Sequence, residues 1–208
     1  MLYLVKTPWW LSKGIYPAYT WSMPAGQKKL YLSFDDGPHP VVTPFVLDTL
    51  KKYHAKASFF CIGKNVAAYP ELYKRILLEG HAVGNHTQNH LNGWKTNDAR
   101  YLSNITEAAQ YIDSKLFRPP YGRITRFQAR QVQERLGLRV VMWSVLSGDF
   151  DTNLEPEKCC TNVQKHAADG SIIVFHDSEK AMPRMGYALP GVLEYFSTRG
   201  FGFDKITG

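Results

Sequence analysis

At 208 residues, 44% hydrophobic and 21% charged, the chain has the size and balance of one globular domain with a substantial core, which excludes disordered and fibrous classes. No apolar run approaches the roughly 18 residues a membrane span needs, and the stretch from Met1 to Trp21, broken by Pro8 and Pro17, lacks the basic start, continuous apolar core and small-residue cleavage site of a secretion signal. The formal net charge of +7 is dispersed in pairs such as Lys28-Lys29 and Lys51-Lys52 with no nucleic-acid motif beside them, so it indicates solubility or an anionic polymer and argues against DNA or RNA as partner.

Residues 1–28 read as an irregular extension packed on the remainder, and 29–208 as the catalytic domain. Lys29 to Phe34 reads as a strand ending in the polar turn Asp35-Asp36-Gly37-Pro38. Thr43-Pro44 then caps and opens a helix whose apolar side, Phe45, Val46, Leu47 and Leu50, runs to about Tyr53. Ala57 to Ile62 suits a buried strand, and Pro70 to Glu79 a helix begun by proline and closed by Gly80. The unit repeats with a strand from His81 to Asn85, the polar run His86-Thr87-Gln88-Asn89-His90, and a helix from about Asp98 to Lys115.

Leu116-Phe117 leads into Arg118-Pro119-Pro120-Tyr121-Gly122, followed by a helix from about Thr125 to Leu136 and a strand from Arg139 to Trp143. Glu155-Pro156-Glu157 opens another helix. Ser171 to Phe175 is a strand, Leu189 to Thr198 a helix and Gly200 to Phe203 a last short strand. About seven strands alternating with about six helices predict an α/β fold, a single distorted (β/α) barrel of parallel strands. The three cysteines, Cys61, Cys159 and Cys160, are odd in number with two adjacent, so they read as buried or free thiols and not as a disulfide framework.

The chemistry-bearing residues all follow predicted strands: Asp35-Asp36, His86 to His90, Arg118 to Gly122, Asp149 and Asp151, and His176-Asp177. In a barrel such positions converge at the carboxyl ends of the strands, where barrel enzymes build their active sites. His86 and His90, four apart, aim both imidazoles the same way if they lie on a helical turn. With one carboxylate from Asp35 or Asp36 they form a two-histidine, one-acid donor set of the kind hydrolytic divalent-metal sites use. Consecutive acids diverge in direction, so one can serve as ligand while the other acts as general base.

Ser33-Phe34-Asp35-Asp36-Gly37-Pro38, His86-Thr87-Gln88-Asn89-His90 and Arg118-Pro119-Pro120-Tyr121-Gly122 resemble, in order and spacing, the first three motifs of polysaccharide deacetylases, the NodB homology or carbohydrate esterase 4 family. The resemblance implies that Asp36, His86 and His90 hold a divalent metal, usually Zn2+ with Co2+, Ni2+ or Mn2+ as alternatives, while Asp35 is the base. It further implies that Arg118 pairs with Asp35, that the backbone N–H of Tyr121 helps to bind the oxyanion, and that His176, after the apolar run Ile172 to Phe175, protonates the leaving amine. The family's fourth motif, Trp-Ser-x-Asp-x-x-Asp-Trp, is altered here: Leu146 replaces its first acid and Phe150 its tryptophan. Asp149 or Asp151 is then the expected carboxylate for tuning His176.

The expected activity is removal of acetyl groups from N-acetylated glycans, with N-acetylglucosamine in peptidoglycan or chitin-like polymers as the leading substrate. Acetyl-xylan esterase, small-amide hydrolase and inactive glycan-binding homologue are the alternatives. Pro119, Tyr121 and Trp143 are candidate substrate contacts, and Trp94 is another aromatic beside the motifs that suits stacking on sugars. By sequence the chain reads as cytoplasmic, but a wall-polymer substrate places it in the cell envelope.

Overall fold

Strand β1 (Lys29–Asp35), buried at every position after the first, is the hub of the sheet. It pairs in parallel with β2 (Ala57–Cys61) on one side and β7 (Ile172–His176) on the other, and its first two residues pair with β8 (Gly202–Phe203). β3 (Ala82–Asn85), β4 (Leu116–Phe117), β5 (Arg139–Val140) and β6 (Val145–Leu146) complete the order β5-β4-β3-β2-β1-β7-β6, all parallel. Near-continuous apolar strands are what a parallel sheet covered on both faces requires. The computed structural model describes residues 3–207, so the first two residues of the expected extension and the last of the expected catalytic domain lie outside the described residues.

The two edge strands, β5 and β6, are consecutive in the chain. Residues 141–144 carry the chain from pairing with β4 to pairing with β7: Val141 N–H donates to Phe117 O (2.8 Å) and Ser144 N–H to Ile172 O (3.0 Å). The sheet therefore curls into the expected distorted barrel. The strand expected at Arg139 to Trp143 is shorter, β5 alone, and β6 is a separate strand beyond it that was not expected; backbone groups along this segment also bond outward to the N-terminal stretch. Met142 N–H donates to Thr20 O (2.7 Å), Leu146 N–H to Val5 O (2.8 Å) and Thr7 N–H to Ser144 O (2.9 Å).

The helices are α1 (Val42–Lys52), α2 (Gly63–Ala68), α3 (Pro70–Leu78), α4 (Asp98–Ala108), α5 (Arg126–Glu134), α6 (Pro156–His166) and α7 (Met182–Ser197). α4 ends at Ala108, short of the expected Lys115, and α7 begins seven residues before the expected Leu189, with Pro190 inside it. The short α2 was not expected from periodicity. Thr43 is not the cap of α1: it lies in the first turn, buried, and its hydroxyl is drawn inward to Asp177. Cys61, Cys159 and Cys160 are buried and free, as expected.

Alternation along β1 sorts its side chains between two cores. Leu30, Leu32 and Phe34 join the cluster under α1, α6 and α7, whereas Tyr31 meets Phe60, Leu116, Val141 and Ile172 from the surrounding strands. Ser33 and Asp35 share the face of Tyr31, so β1 delivers a carboxylate into the barrel interior at its carboxyl end. A third cluster, with Trp21, Tyr101, Phe117 and Val132, packs α4 and α5 on the far strands.

Candidate active site

Asp35, the last residue of β1, is buried against Arg118, which is itself fully buried. The Arg118 guanidinium donates to Asp35 Oδ1 (2.7 Å), Ser33 Oγ (2.8 Å), Met142 O (3.0 Å) and Val141 O (3.2 Å). It also lies 3.9 Å from the centroid of the Phe60 ring. Burial alone pushes the Arg118 guanidinium down, and the Asp35 carboxylate counteracts it. A buried ion pair is tolerable only with such full hydrogen bonding.

Asp36 leaves the strand with a left-handed backbone, φ 84°, and so turns away from Asp35, as the adjacent acids were expected to do. Asn65 Nδ2 donates to the Asp36 carbonyl (2.7 Å) and fixes the turn. Asp36 Oδ1 is buried and accepts no hydrogen bond; it faces His90 Nε2 at 3.1 Å and His86 Nε2 at 3.8 Å. Burial would raise the Asp36 carboxyl, yet the imidazoles of His90, His176 and His86 outweigh it and hold the group well below the usual carboxylate range.

His86 and His90 do not lie on a helical turn. Residues 86–90 form a loop with positive φ at Thr87 (64°) and His90 (56°), and these two left-handed residues, not helical spacing, bring the rings to 5.1 Å between centroids. Side chains pin the loop: Asn85 Oδ1 accepts the Thr87 N–H (2.8 Å), Asn104 Oδ1 accepts the Asn89 N–H (3.0 Å), and Thr87 Oγ1 accepts the Leu91 N–H (3.2 Å). His86 Nδ1 is 2.7 Å from Arg118 O. A carbonyl only accepts, so Nδ1 carries the proton and Nε2 presents its lone pair toward Asp36. Burial depresses the His86 imidazole to about 4.

The ligand atoms of Asp36, His86 and His90 lie within 4.8 Å of one another. An orphaned buried carboxylate oxygen, two histidines and a carbonyl that fixes a ring's tautomer from behind match the donor set and outer support of a hydrolytic zinc site. The residues fit a divalent metal. An opening of about 300 Å³, bordered by Asp36, His39, Asn65, His90 and Asp177, gives access to them.

His176 ends β7 directly beside Asp35, its register partner. Asp149, fully buried, takes His176 at two points: Oδ1 lies 2.7 Å from Nδ1 and Oδ2 accepts the backbone N–H at 2.7 Å. Burial works against the imidazolium, but the charge and hydrogen bond of Asp149, with Asp36 and Asp35 adding to them, raise His176 to about 10. Asp151 is turned elsewhere, its Oδ1 accepting the Asn153 N–H (3.1 Å), so of the two candidate acids Asp149 meets the histidine.

Of the expected substrate contacts, Tyr121 is 58% exposed, with φ 61° and its ring 4.6 Å from that of His90. Pro119 is buried, and half-buried Trp143 packs so closely on Gly122 that a Cβ there would come within 2.7 Å of it. One polar residue of the site, named with His176 at a strand end, had no role assigned from the sequence. Asp177 is buried beneath the Asp36 turn, where its Oδ1 accepts the Gly37 N–H (2.9 Å) and its Oδ2 the Thr43 hydroxyl (2.5 Å). Burial lifts its carboxyl to about 8. Its placement right after His176 at a strand end was the available signal.

The family model described as polysaccharide deacetylase matches residues 22–141, more than half of the chain. The chain belongs to the polysaccharide deacetylase family. Membership makes it a hydrolase. Among similar proteins, a peptidoglycan-N-acetylglucosamine deacetylase of Bacillus cereus is 35% identical over 194 residues, covering 90% of this deacetylase-family chain and 91% of the relative. A chitooligosaccharide deacetylase of Azorhizobium caulinodans is 36% identical over 158 residues, covering 73% and 74%. The crystal structure of the Bc1960 peptidoglycan N-acetylglucosamine deacetylase superposes with a TM-score of 0.86 at 32% identity, covering 96% of this chain and 95% of that one.

Proposed function

We propose that this deacetylase-family hydrolase is metal-dependent and removes acetyl groups from N-acetylglucosamine units of peptidoglycan or a chitin-like polymer. The observation that carries the reading is the opposite assignment of two adjacent acids: Asp36 faces two imidazole nitrogens, and Asp35 stands apart on an arginine. The names of the similar proteins, deacetylases of peptidoglycan and chitooligosaccharides, support the substrate class.

Asp36, His86 and His90 would hold the cation, with Zn2+ the first candidate for two nitrogens and one oxygen. When bound, the ion supplies Lewis-acid chemistry, polarising the acetyl carbonyl and making water more acidic. Asp35, oriented by Arg118, takes a proton from the water that attacks the acetyl carbon. The Tyr121 backbone N–H donates to the oxygen on which negative charge develops.

Asp149 grips Nδ1 of His176, which leaves the Nε2 proton for the glucosamine nitrogen as the C–N bond breaks. Water has then been added across the amide, giving acetate and a free amine. Tyr121 offers the sugar an exposed ring beside His90, and the following Gly122 is packed by Trp143 and donates its N–H to Pro119 O.

Acetate release tests the proposal when screened over N-acetylglucosamine oligomers, acetylated xylan and small amides, with and without a chelator. Chelator-sensitive release from the oligomers is expected. Release from xylan alone would reassign the substrate, and no release from any acetylated substrate in the presence of divalent metals would overturn the activity.

A further inference from the structure

Trp94 is more than half exposed (57%) yet held rigidly. It sits in a single 3₁₀ turn, Gly93–Lys95, where Asn92 Oδ1 accepts its backbone N–H at 3.0 Å. Its indole Nε1–H donates to Ile124 O, also at 3.0 Å, and the Arg123 guanidinium carbon lies 4.6 Å from its ring centroid. The turn is zipped to the segment after Tyr121 by Gly93 N–H to Arg123 O (3.1 Å). Only glycine permits that approach, since a Cβ at Gly93 would stand 2.5 Å from the same carbonyl.

Fixing a large apolar ring in water costs side-chain entropy and recovers little burial. Here one side is backed by a cation and the indole N–H is satisfied, so the remaining area is flat, apolar and pre-organised. Such a plate suits the C–H face of a pyranose ring, which needs an aromatic surface and no compensating hydrogen bond. Its position is equally specific. Trp94 is four residues beyond His90, and Arg123 two beyond Tyr121, whose ring lies against His90.

We propose that Trp94 is the stacking platform of a glycan subsite beside the reaction centre, receiving a sugar unit next to the one that loses its acetyl group. This rests on the glycan-deacetylase reading above and extends it, because it makes the preferred substrate an oligomer. A unit bound there does not react, so its contact favours longer chains in kcat/KM without entering the chemistry.

The experiment compares N-acetylglucosamine tetramer with monomer in the metal-loaded wild type, Trp94→Ala and Trp94→Phe. The tetramer-to-monomer ratio of kcat/KM is expected to fall about three- to tenfold in Trp94→Ala and to be largely retained in Trp94→Phe. An unchanged ratio in a folded Trp94→Ala protein overturns the subsite. Binding is read separately in Asp35→Asn by the indole N–H resonance of Trp94, which should shift with tetramer and far less with monomer. No shift at saturating tetramer also overturns it. Because this second reading needs no turnover, a wild type that releases no acetate would refute the functional reading while the resonance still decides the subsite.

Discussion

Asp149 holds His176 through both of its oxygens, one at 2.7 Å from the ring nitrogen Nδ1 and one at 2.7 Å from the backbone nitrogen. The second bond fixes where the carboxylate stands, and the first fixes what it does to the imidazole. A divalent cation on Asp36 would cancel that residue's pull on His176, leaving Asp149 as the main cause of the upward shift.

The pH–rate profile should follow from this pair. His176 must be protonated to act as the acid, so activity falls on the alkaline side as it loses its proton. Asp149→Asn removes the charge that raises it, and the alkaline limb of kcat/KM should move to lower pH. An unmoved limb would show that another group sets it.

Arg118 is the structural partner whose loss should be felt most. Arg118→Met leaves Asp35 buried and unpaired and frees the carbonyls of Val141 and Met142. A destabilisation of about 3–5 kcal/mol is expected. Denaturant unfolding reads it directly, and a loss below about 1 kcal/mol, the range of a surface pair, would mean that the pair is solvated.

Acid stability should depend on His81. Burial depresses this imidazole from 6.5 to about 4, and its Nδ1 accepts the Ala57 N–H (3.2 Å), which requires the neutral ring. Below its unfolded pKa the unfolded chain takes up a proton that the folded chain refuses. Stability is therefore intact above about 6.5 and drains away as pH falls toward about 4, by on the order of 2–3 kcal/mol. His81→Gln keeps an acceptor and loses the titration, so its unfolding free energy should fall less steeply over the same window. An identical slope would exclude His81 as the cause.

The thiols should be inert. Burial pushes Cys61 and Cys159 up, Cys160 is raised as well, and none is paired. A thiol reagent should label none of them until the protein is denatured, when all three react. Rapid labelling of the native protein would show that one of these sites opens.

Strand-to-motif order made most of the site legible. Each polar cluster that follows an apolar run ends at the same mouth of the barrel, and the adjacent acids diverge because β1 ends between them. The reading of His86 and His90 named two residues that the structure does bring together, but by another geometry than the helical turn, since a left-handed backbone at Thr87 and His90 leaves no periodic trace. The role of Asp177 escaped because a buried acid serving Gly37 N–H and Thr43 makes its case only through contacts distant in sequence. The early start of α7 was hidden by Pro183 and Gly186, which are poor helix formers, whereas packing on α6 sustains that helix. The appearance of β6 as a strand separate from β5 depends on a change of partners from β4 to β7, a tertiary fact.

The division of labour between Asp35 and Asp36 is tested most directly by measuring metal content and acetate release together in Asp35→Asn and Asp36→Asn. Asp35→Asn should retain its metal and lose roughly 10²–10⁴ in rate, as removal of a general base does, while Asp36→Asn should lose the metal itself. An Asp35→Asn protein that keeps full activity with its metal in place, or an Asp36→Asn protein that binds metal as tightly as the wild type, would contradict the assignment.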